Sequence, residues 1–498
     1  MNSLEKAKSP ACRWYLYILK CRDGTLYTGI TTDLPRRVLQ HNSGTASRYT
    51  RSRLPVKLVY REPCRNKSSA LKKEHKIKSL SREEKEAYIG GRIPEKAGPC
   101  MIAGGKRQKA AIIMNSTSKS VFESYRKEFP VTKKYVYLDH AGVSPLSLRV
   151  KGAIEQFLFE SAGGGAFHYP KWAQQTVDIR RSCARLINAA SDEIAFVKNT
   201  SHGLSIVAEG LDWRPGDNVL VYEREFPSNI YPWLHLRRRG VEAKVIPSRE
   251  GRLLPEDIEK LADSRTRLLA VSSVQFSNGF RVDLKKAGEI CQSKGILVCV
   301  DAIQSLGIIP MDVKAFNVDF LAADAHKWLL GPEGVGVFFC RQELAERLDP
   351  PLIGWKCVQN ELDFDHPDLR LKKNAQKFEE GSLNLMGILG LGAAIALLSE
   401  AGTESIEKRV LDLGDLIIRE AEKRGYTVLT PKQRRERGGN VTISGNFDPD
   451  SIRDALRARE IMVNVRGGGL RVSPHFYNTE AEIMTFFEQV DLLRAGTR

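Results

Sequence analysis

Two stretches carry the architecture of this chain: VCVDAIQSLGIIP at 298–310 and VDFLAADAHKWLLGPEGVGVFF at 318–339. The apolar runs at 296–300 and 318–322 read as short buried strands, and each ends in polar residues. Asp301 and Gln304 follow the first; Asp324, His326 and Lys327 follow the second. In open α/β sheets, ligands sit just beyond the carboxyl ends of strands. Taken singly, Lys327 reads as a solvated loop lysine and Asp301 as a helix cap. Set together at the ends of two such strands, ahead of Gly331-Pro332, they suit pyridoxal phosphate. That cofactor needs a Schiff-base lysine and a carboxylate on its pyridinium nitrogen.

The pattern D-A-x-Q-S followed by A-D-x-H-K-W-x-x-G-P-x-G-x-G closely resembles the class V aminotransferase superfamily of fold-type I pyridoxal phosphate enzymes. That superfamily includes cysteine desulfurases, kynureninase and isopenicillin N epimerase-like proteins. The resemblance spans about 135–490. It implies an α/β fold, with a large α/β/α domain built on a mostly parallel sheet over 135–385 and a smaller α+β domain over 386–498. The leading segment YVYLDHAGVSPLS is expected to contribute to that smaller domain.

The resemblance also implies roles. Lys327 would be the Schiff-base lysine and, once displaced, the 1,3-proton-shuttling base. Asp301 would keep the ring nitrogen protonated, Gln304 would bond the ring 3-oxygen, and His326 would lie near the phosphate. Thr200 and Ser201 open a helix in KNTSHGLSIVAEGL, where free N–H groups and the helix dipole favour an anion. Alone they read as simple caps; the resemblance makes them phosphate ligands. Asp324 sits awkwardly beside a phosphate and is expected to face a basic group instead. Phe226, after a strand over 219–222, would stack on the ring where desulfurases carry a histidine, but a phenyl ring moves no proton. Gln275 and Asn278 are expected to face cofactor or substrate. Ser382, in FEEGSLNLMG, would reach the phosphate of the other subunit, which implies a homodimer. Arg471, in VNVRGGGLRVSPHFYNTEAEI, would grip the α-carboxylate of an amino-acid substrate through a bidentate fork, with Arg466 as a weaker second candidate.

A cysteine is missing. Desulfurases hold their persulfide-forming cysteine in a loop shortly before that arginine; here the loop reads RGGG, and the last cysteine of the chain is Cys357. Cys357 reads as a packing residue. The expectation is therefore a transaminase, lyase or epimerase, with an atypical desulfurase or selenocysteine lyase-like enzyme as the alternative.

Charge divides the chain. Its net charge is +17, yet residues 1–113 hold 25 Lys/Arg against 9 Asp/Glu while the remainder holds 52 against 51. Clustered cations neutralise phosphates and release counterions, which points to DNA or RNA; solubility alone is the plainer reading. The nine cysteines are scattered without a C-x-x-C pair, which fits a reducing cytoplasm and argues against a disulfide framework or structural zinc. No apolar run has the length of a membrane span and no secretory signal opens the chain, so a cytoplasmic protein without a membrane partner is expected.

Residues 1–91 read as a small basic α+β module. WYLYILK at 14–20 alternates like a strand, Asp23-Gly24 signals a hairpin, and LYTGI at 26–30 returns. Asp33 caps a helix with Pro35 in its first turn, placing Arg37 and His41 four apart on one face. A second helix over 69–79 carries Glu74 among lysines. Singly, the tyrosines read as half-buried strand aromatics and Glu74 as a salt-bridge partner. Together they resemble the small GIY-YIG nuclease domain over 13–90, with Tyr15-Leu16-Tyr17 in place of GIY and Tyr27-Thr28-Gly29 in place of YIG. By that resemblance Tyr17 and Tyr27 position or deprotonate water, Arg37 stabilises phosphate, His41 assists proton transfer and Glu74 holds one Mg²⁺. The first motif lacks its glycine, and Ile30 stands where the excinuclease branch of that family has a lysine. Endonuclease activity, or nucleic-acid binding alone, is thus a rival for the main role. Residues 92–134 read as a linker ending in a short leading helix over 121–129, with Met114 resembling a natural start for a fused second protein.

Overall fold

The Asp23-Gly24 hairpin forms as expected, with Gly24 at a φ of 78° that suits glycine. It joins β1 (Trp14–Lys20) to β2 (Leu26–Thr31) in an antiparallel pair that sets Tyr17 opposite Gly29. Strand β3 (Lys57–Cys64) lies antiparallel on the other side of β1. The computed structural model describes residues 14–64, 66–78, 80, 82–89 and 122–495. The chain divides into two units, 1–109 and 110–498.

Alternation along β1 implied one wet face; instead Leu16, Tyr17, Ile18 and Leu19 are all buried. Leu16 and Ile18 pack with Ala70 and Ile77 of the helix Lys67–Lys78. Tyr17 and Leu19 pack with Leu34 of the helix Leu34–Asn42. The small sheet is therefore covered on both faces. Asp33 caps the latter helix, its carboxylate accepting from the Arg36 amide at 3.1 Å.

In the second unit, seven strands form one sheet: β5 (Ile194–Val197), β6 (Asn218–Tyr222), β7 (Glu242–Ile246), β8 (Thr266–Ser272), β9 (Leu297–Asp301), β10 (Phe320–Asp324) and β11 (Gly336–Cys340). Their order is β5-β11-β10-β9-β8-β6-β7. The run from β10 to β7 is parallel, and β11 is antiparallel to both its neighbours. Alternate residues feed two cores, with Leu321, Val300 and Leu269 in one and Phe320, Cys299 and Leu268 in the other. That two-sided burial is why these strands read as continuous apolar runs. The two central strands lie one or two residues later than expected, so Asp301 and Asp324 are the terminal residues of β9 and β10.

The smaller sheet has the order β12 (Thr427–Val428), β13 (Val441–Ser444), β16 (Gly469–Val472), β15 (Asn464–Arg466). It packs with the helices Thr403–Lys423, Pro449–Ala458 and Glu480–Ala495. The leading strand β4 (Val136–Tyr137) pairs in parallel with β14 (Ile461–Met462), and Asp139 bridges Ser473, which draws the leading segment onto this layer. The helix expected over 121–129 is helical in its described part only at residues 122–123, and gives way to 3-10 turns at Arg126–Glu128 and Pro130–Lys133. Pro130 lacks the N–H that a continuing helix would need. The linker through residue 121, with Met114, lies outside the described residues. Among the described residues no single helix is long and apolar enough to cross a membrane.

Candidate active sites

Lys327 follows the end of β10 and is half-buried, within electrostatic reach of Asp301 at the end of β9. Its Nζ lies 5.6 Å from the centroid of the Phe226 ring, which comes from the loop after β6. Burial pulls the amine down to about 8, against the opposing pull of Asp301. Asp301 is 2% exposed. Burial pushes its carboxyl up to about 7; the Ile303 amide, donating at 3.0 Å, and Lys327 draw it down, and Glu225 pushes it further up. Phe226 rests edge-to-face on Phe276, with centroids 5.1 Å apart.

Gln304 is fixed at both ends. Its Nε2 donates to the Ala141 carbonyl at 3.0 Å and its Oε1 accepts from Trp328 Nε1 at 2.9 Å, leaving one amide hydrogen over. Thr200 begins the helix Thr200–Gly210, whose N-cap Asn199 accepts from the His202 amide. The Thr200 hydroxyl accepts from the Asp324 amide at 3.0 Å, and the Ser201 hydroxyl donates to Ser228 Oγ at 2.8 Å. The carboxylate of Asp324 accepts from the Ala325 amide and lies 3.2 Å from His326 Nδ1, an atom that is buried without a hydrogen-bond partner.

Arg471, 2% exposed, sits on β16. It donates through Nη1 to the Phe276 carbonyl and through Nη2 to Asp139 Oδ1, both at 3.1 Å. Its Nε is buried without a partner, as is Gln275 Oε1. Burial lowers the Arg471 pKa, and its charge is felt at Lys327. Arg466 is exposed and bonds its own strand, at Asn464 Oδ1 and the Val465 carbonyl.

Lys327, Asp301, Phe226 and Arg471 thus converge, with Thr200 joined to the same loop through Asp324. Ser382 does not join them within one chain. It is exposed and lines a small cavity with Lys198, His202 and Gly334. Asn278 is a correction: its amide is spent on the Gly251 carbonyl and the Phe280 amide, so it braces a loop. Gln275 is half a correction, because its Nε2 donates to Glu225 while Oε1 stays uncommitted. Sequence reasoning missed Asp139, Glu225 and Trp328 as neighbours of the site. Glu225 accepts from the Ser272 amide and from Gln275, both at 2.8 Å, with Asp301 close behind. An acidic residue in a loop signals solvent, and only the folded register turns this one inward.

The donor set fits pyridoxal phosphate. A desolvated amine stands beside a buried carboxylate under an aromatic ring, a helix start carries two hydroxyls, and a buried guanidinium edge and amide oxygen lack partners.

The small unit gathers its own set. Thr50 Oγ1 donates to the Ser47 carbonyl at 3.2 Å. Toward His41 Nδ1, at 2.8 Å, that oxygen is left to accept, which assigns the imidazole proton to Nδ1 from the hydrogen-bond network. The bare Nε2 accepts the Tyr17 hydroxyl at 3.0 Å, while Arg37 Nε donates to that oxygen at 3.3 Å. Burial, aided by Arg37, holds His41 down to about 4, so it is neutral. Tyr27 stands edge-on to His41 with centroids 5.0 Å apart. A Cβ on Gly29 would come within 2.6 Å of the Tyr17 hydroxyl, which explains a glycine at that strand position. Glu74 pairs with Lys78 at 2.8 Å, and its charge reaches Tyr17. Among the described residues no group of three or more acidic, His or Cys side chains forms a metal-binding set.

Comparison with known proteins agrees with both halves. The aminotransferase class-V model matches residues 136–487 and the GIY-YIG catalytic domain model matches residues 13–87. A probable cysteine desulfurase of Methanothermobacter thermautotrophicus is 33% identical over 74% of this chain and 97% of its own. An uncharacterized aminotransferase of Bacillus subtilis, YcbU, is 30% identical over 74% and 97%. The apo structure of a cysteine desulfurase from Thermococcus onnurineus superposes with a TM-score of 0.70 at 27% identity, over 75% of this chain and 98% of that one. The chain belongs to the class-V aminotransferase family and carries a GIY-YIG domain ahead of that enzyme.

Proposed function

We propose that the larger unit is a pyridoxal phosphate enzyme acting at Cα or Cβ of an amino acid, by chemistry other than that of a typical cysteine desulfurase. One observation carries the reading: the desolvated Lys327 amine stands beside buried Asp301, under Phe226 and within the field of Arg471. Bound pyridoxal phosphate supplies a ring that accepts the electron pair released when a bond at the amino acid is broken. Lys327 would hold its aldehyde carbon and later carry the proton. An amine drawn down to about 8 is neutral in roughly one molecule in ten at pH 7, far more often than an ordinary lysine, and so works as nucleophile and base. Asp301 would face the ring nitrogen, and Thr200 and Ser201 the phosphate. Arg471 would take the substrate carboxylate on its unpartnered Nε edge, with Asp139 fixing the other side of the guanidinium. A homodimer, with Ser382 serving the partner's phosphate, belongs to the same reading.

Relatives named as cysteine desulfurases make that activity the rival. Against it stands the cysteine-free run after Cys357. Cys357 is itself buried, its sulfur accepting from the Gly354 amide at 3.4 Å, and burial pushes its thiol pKa up. Adding pyridoxal phosphate to the purified chain should produce a Schiff-base absorption band that borohydride fixes onto the Lys327 peptide. Cysteine should then leave no persulfide on the protein. Absence of the band would sink the cofactor reading; rapid sulfide release lost in Cys357→Ala would restore the desulfurase.

The hydrogen-bonded set Tyr17–His41–Arg37 favours a second reading, a metal-dependent nuclease in the small unit. Tyr17 would take a proton from water while passing its own to the bare His41 Nε2, and Arg37 would meet the phosphate charge. Nicking of DNA or RNA should require Mg²⁺ and be lost in Glu74→Gln. Binding without nicking in the unmodified chain would reduce the unit to a nucleic-acid tether.

A further inference from the structure

Beside the tyrosine–histidine set of the small unit lies an aromatic that the nuclease reading does not use. The short helix Arg48–Arg51 turns two neighbouring side chains in opposite directions. Thr50 is fully buried and fixes His41, as described above. Tyr49, by contrast, is 41% exposed. Its ring lies 6.0 Å from that of Tyr27, tilted by 30°. At that separation and tilt Tyr27 flanks Tyr49 as an aromatic neighbour. The Arg53 guanidinium lies over the Tyr49 ring, 4.3 Å from the centroid. Arg53 is held there by Asp23, which accepts from Nε at 2.9 Å, and by the Tyr49 carbonyl, which accepts from Nη1 at 2.9 Å. One face of Tyr49 is thereby backed by a cation, while the residue as a whole stays exposed. Tyr17, Tyr27 and Tyr49 form a continuous row, with Tyr17 and Tyr27 6.5 Å apart, running from the buried end of the set to the surface.

Tyr49 stands beside the tyrosine–histidine set and outside the buried core of the small unit. In a strongly basic segment it has an evident ligand, since every nucleobase offers a π face and its backbone offers phosphates. We propose that Tyr49, backed by Arg53, is a stacking subsite for an unpaired nucleobase, which seats a single-stranded segment beside Tyr27 and Tyr17. The inference rests on the nucleic-acid reading of the small unit. It adds a preference: strands with unstacked bases, in DNA or RNA, are engaged ahead of blunt duplex.

The experiment is fluorescence anisotropy on the full chain, in chelator to prevent cleavage, with labelled oligodeoxyadenylate, oligoriboadenylate and a blunt DNA duplex of equal length. The tighter of the two single strands identifies the sugar, and the Tyr49 effect is read on that strand. Tyr49→Ala and Tyr49→Leu should each weaken it about ten-fold, the scale of losing one base–aromatic stack. Tyr49→Trp and Tyr49→Phe should retain it, and all four should leave the duplex within about two-fold. Leucine keeps apolar bulk without a π face, so it separates stacking from packing. Unchanged single-strand affinity in Tyr49→Ala, or an equal loss on single strand and duplex, overturns the subsite while leaving nucleic-acid binding standing. No binding of any probe by the unmodified chain overturns the subsite and the nucleic-acid reading together.

Discussion

Replacing Lys327 by alanine is expected to abolish turnover of any amino-acid substrate while leaving the fold intact. Among the described residues the Lys327 side chain makes no hydrogen bond; its neighbours are the Phe226 ring and the charges of Asp301, Asp324, Asp139 and Arg471. Burial disfavours its charged form, and Asp301 only partly offsets this. A group so placed contributes little to stability, and alanine in its place opens space in a polar cavity that water can enter. The chemistry has no such slack. Losing the proton carrier alone removes about 10²- to 10⁴-fold in rate, and losing the nucleophile that holds the cofactor removes more. Lys327→Arg should be equally inactive, because it keeps the charge but offers no free amine at accessible pH. Thermal melting, the absorption spectrum with added pyridoxal phosphate and turnover check the three parts separately. A variant that melts normally, still shows a borohydride-fixed band and still turns over would refute Lys327 as the reactive residue.

Much of this arrangement was legible in the sequence because the strand ends are local features. A buried strand must be apolar, so the first polar residue marks its end, and Asp301 and Asp324 announce themselves in that way. The order β5-β11-β10-β9-β8-β6-β7 was not legible, because pairing between distant strands leaves no mark on either one beyond its burial. The same limit hid the partners of Arg471. Asp139 lies 332 residues away in the chain and meets it only because β4 pairs with β14 and the leading segment folds onto the small sheet. Asn278 misled for a related reason: an amide after a strand has the same look whether it faces a ligand or braces a turn at Gly251. In the small unit the spacing of Arg37 and His41 placed both on one helix face. The tautomer of His41 needed Thr50, whose hydroxyl is spoken for by Ser47, and no periodicity carries that.

Asp301→Asn should act in opposite directions on the cofactor-free and the cofactor-loaded protein. In the folded, cofactor-free chain its carboxyl is pushed up to about 7, chiefly by burial, with Glu225 adding to the push and the Ile303 amide and Lys327 opposing it. An unfolded aspartate titrates near about 3.9. Between those values the folded state binds more protons than the unfolded one, so stability falls as pH rises through that window, and the full deficit is present above pH 7. Asparagine has nearly the same shape and carries no charge to desolvate. The cofactor-free variant should therefore melt higher than the parent at pH 8, by several degrees at roughly 2–4 °C per kcal/mol for a unit of this size or somewhat less. Near pH 4 the two should coincide, since Asp301 is then neutral in the fold. Loading reverses the comparison. A carboxylate facing the ring nitrogen is stabilised by the proton it shares there, whereas an amide cannot hold that nitrogen in its cationic form. The parent should gain more stability from added pyridoxal phosphate than the variant does, and the variant's turnover should fall by two orders of magnitude or more, on the scale of a lost electrostatic partner. A variant less stable than the parent at pH 8 without cofactor, or a difference that persists unchanged to pH 4, would show that Asp301 is a structural carboxylate rather than one kept buried for the ligand.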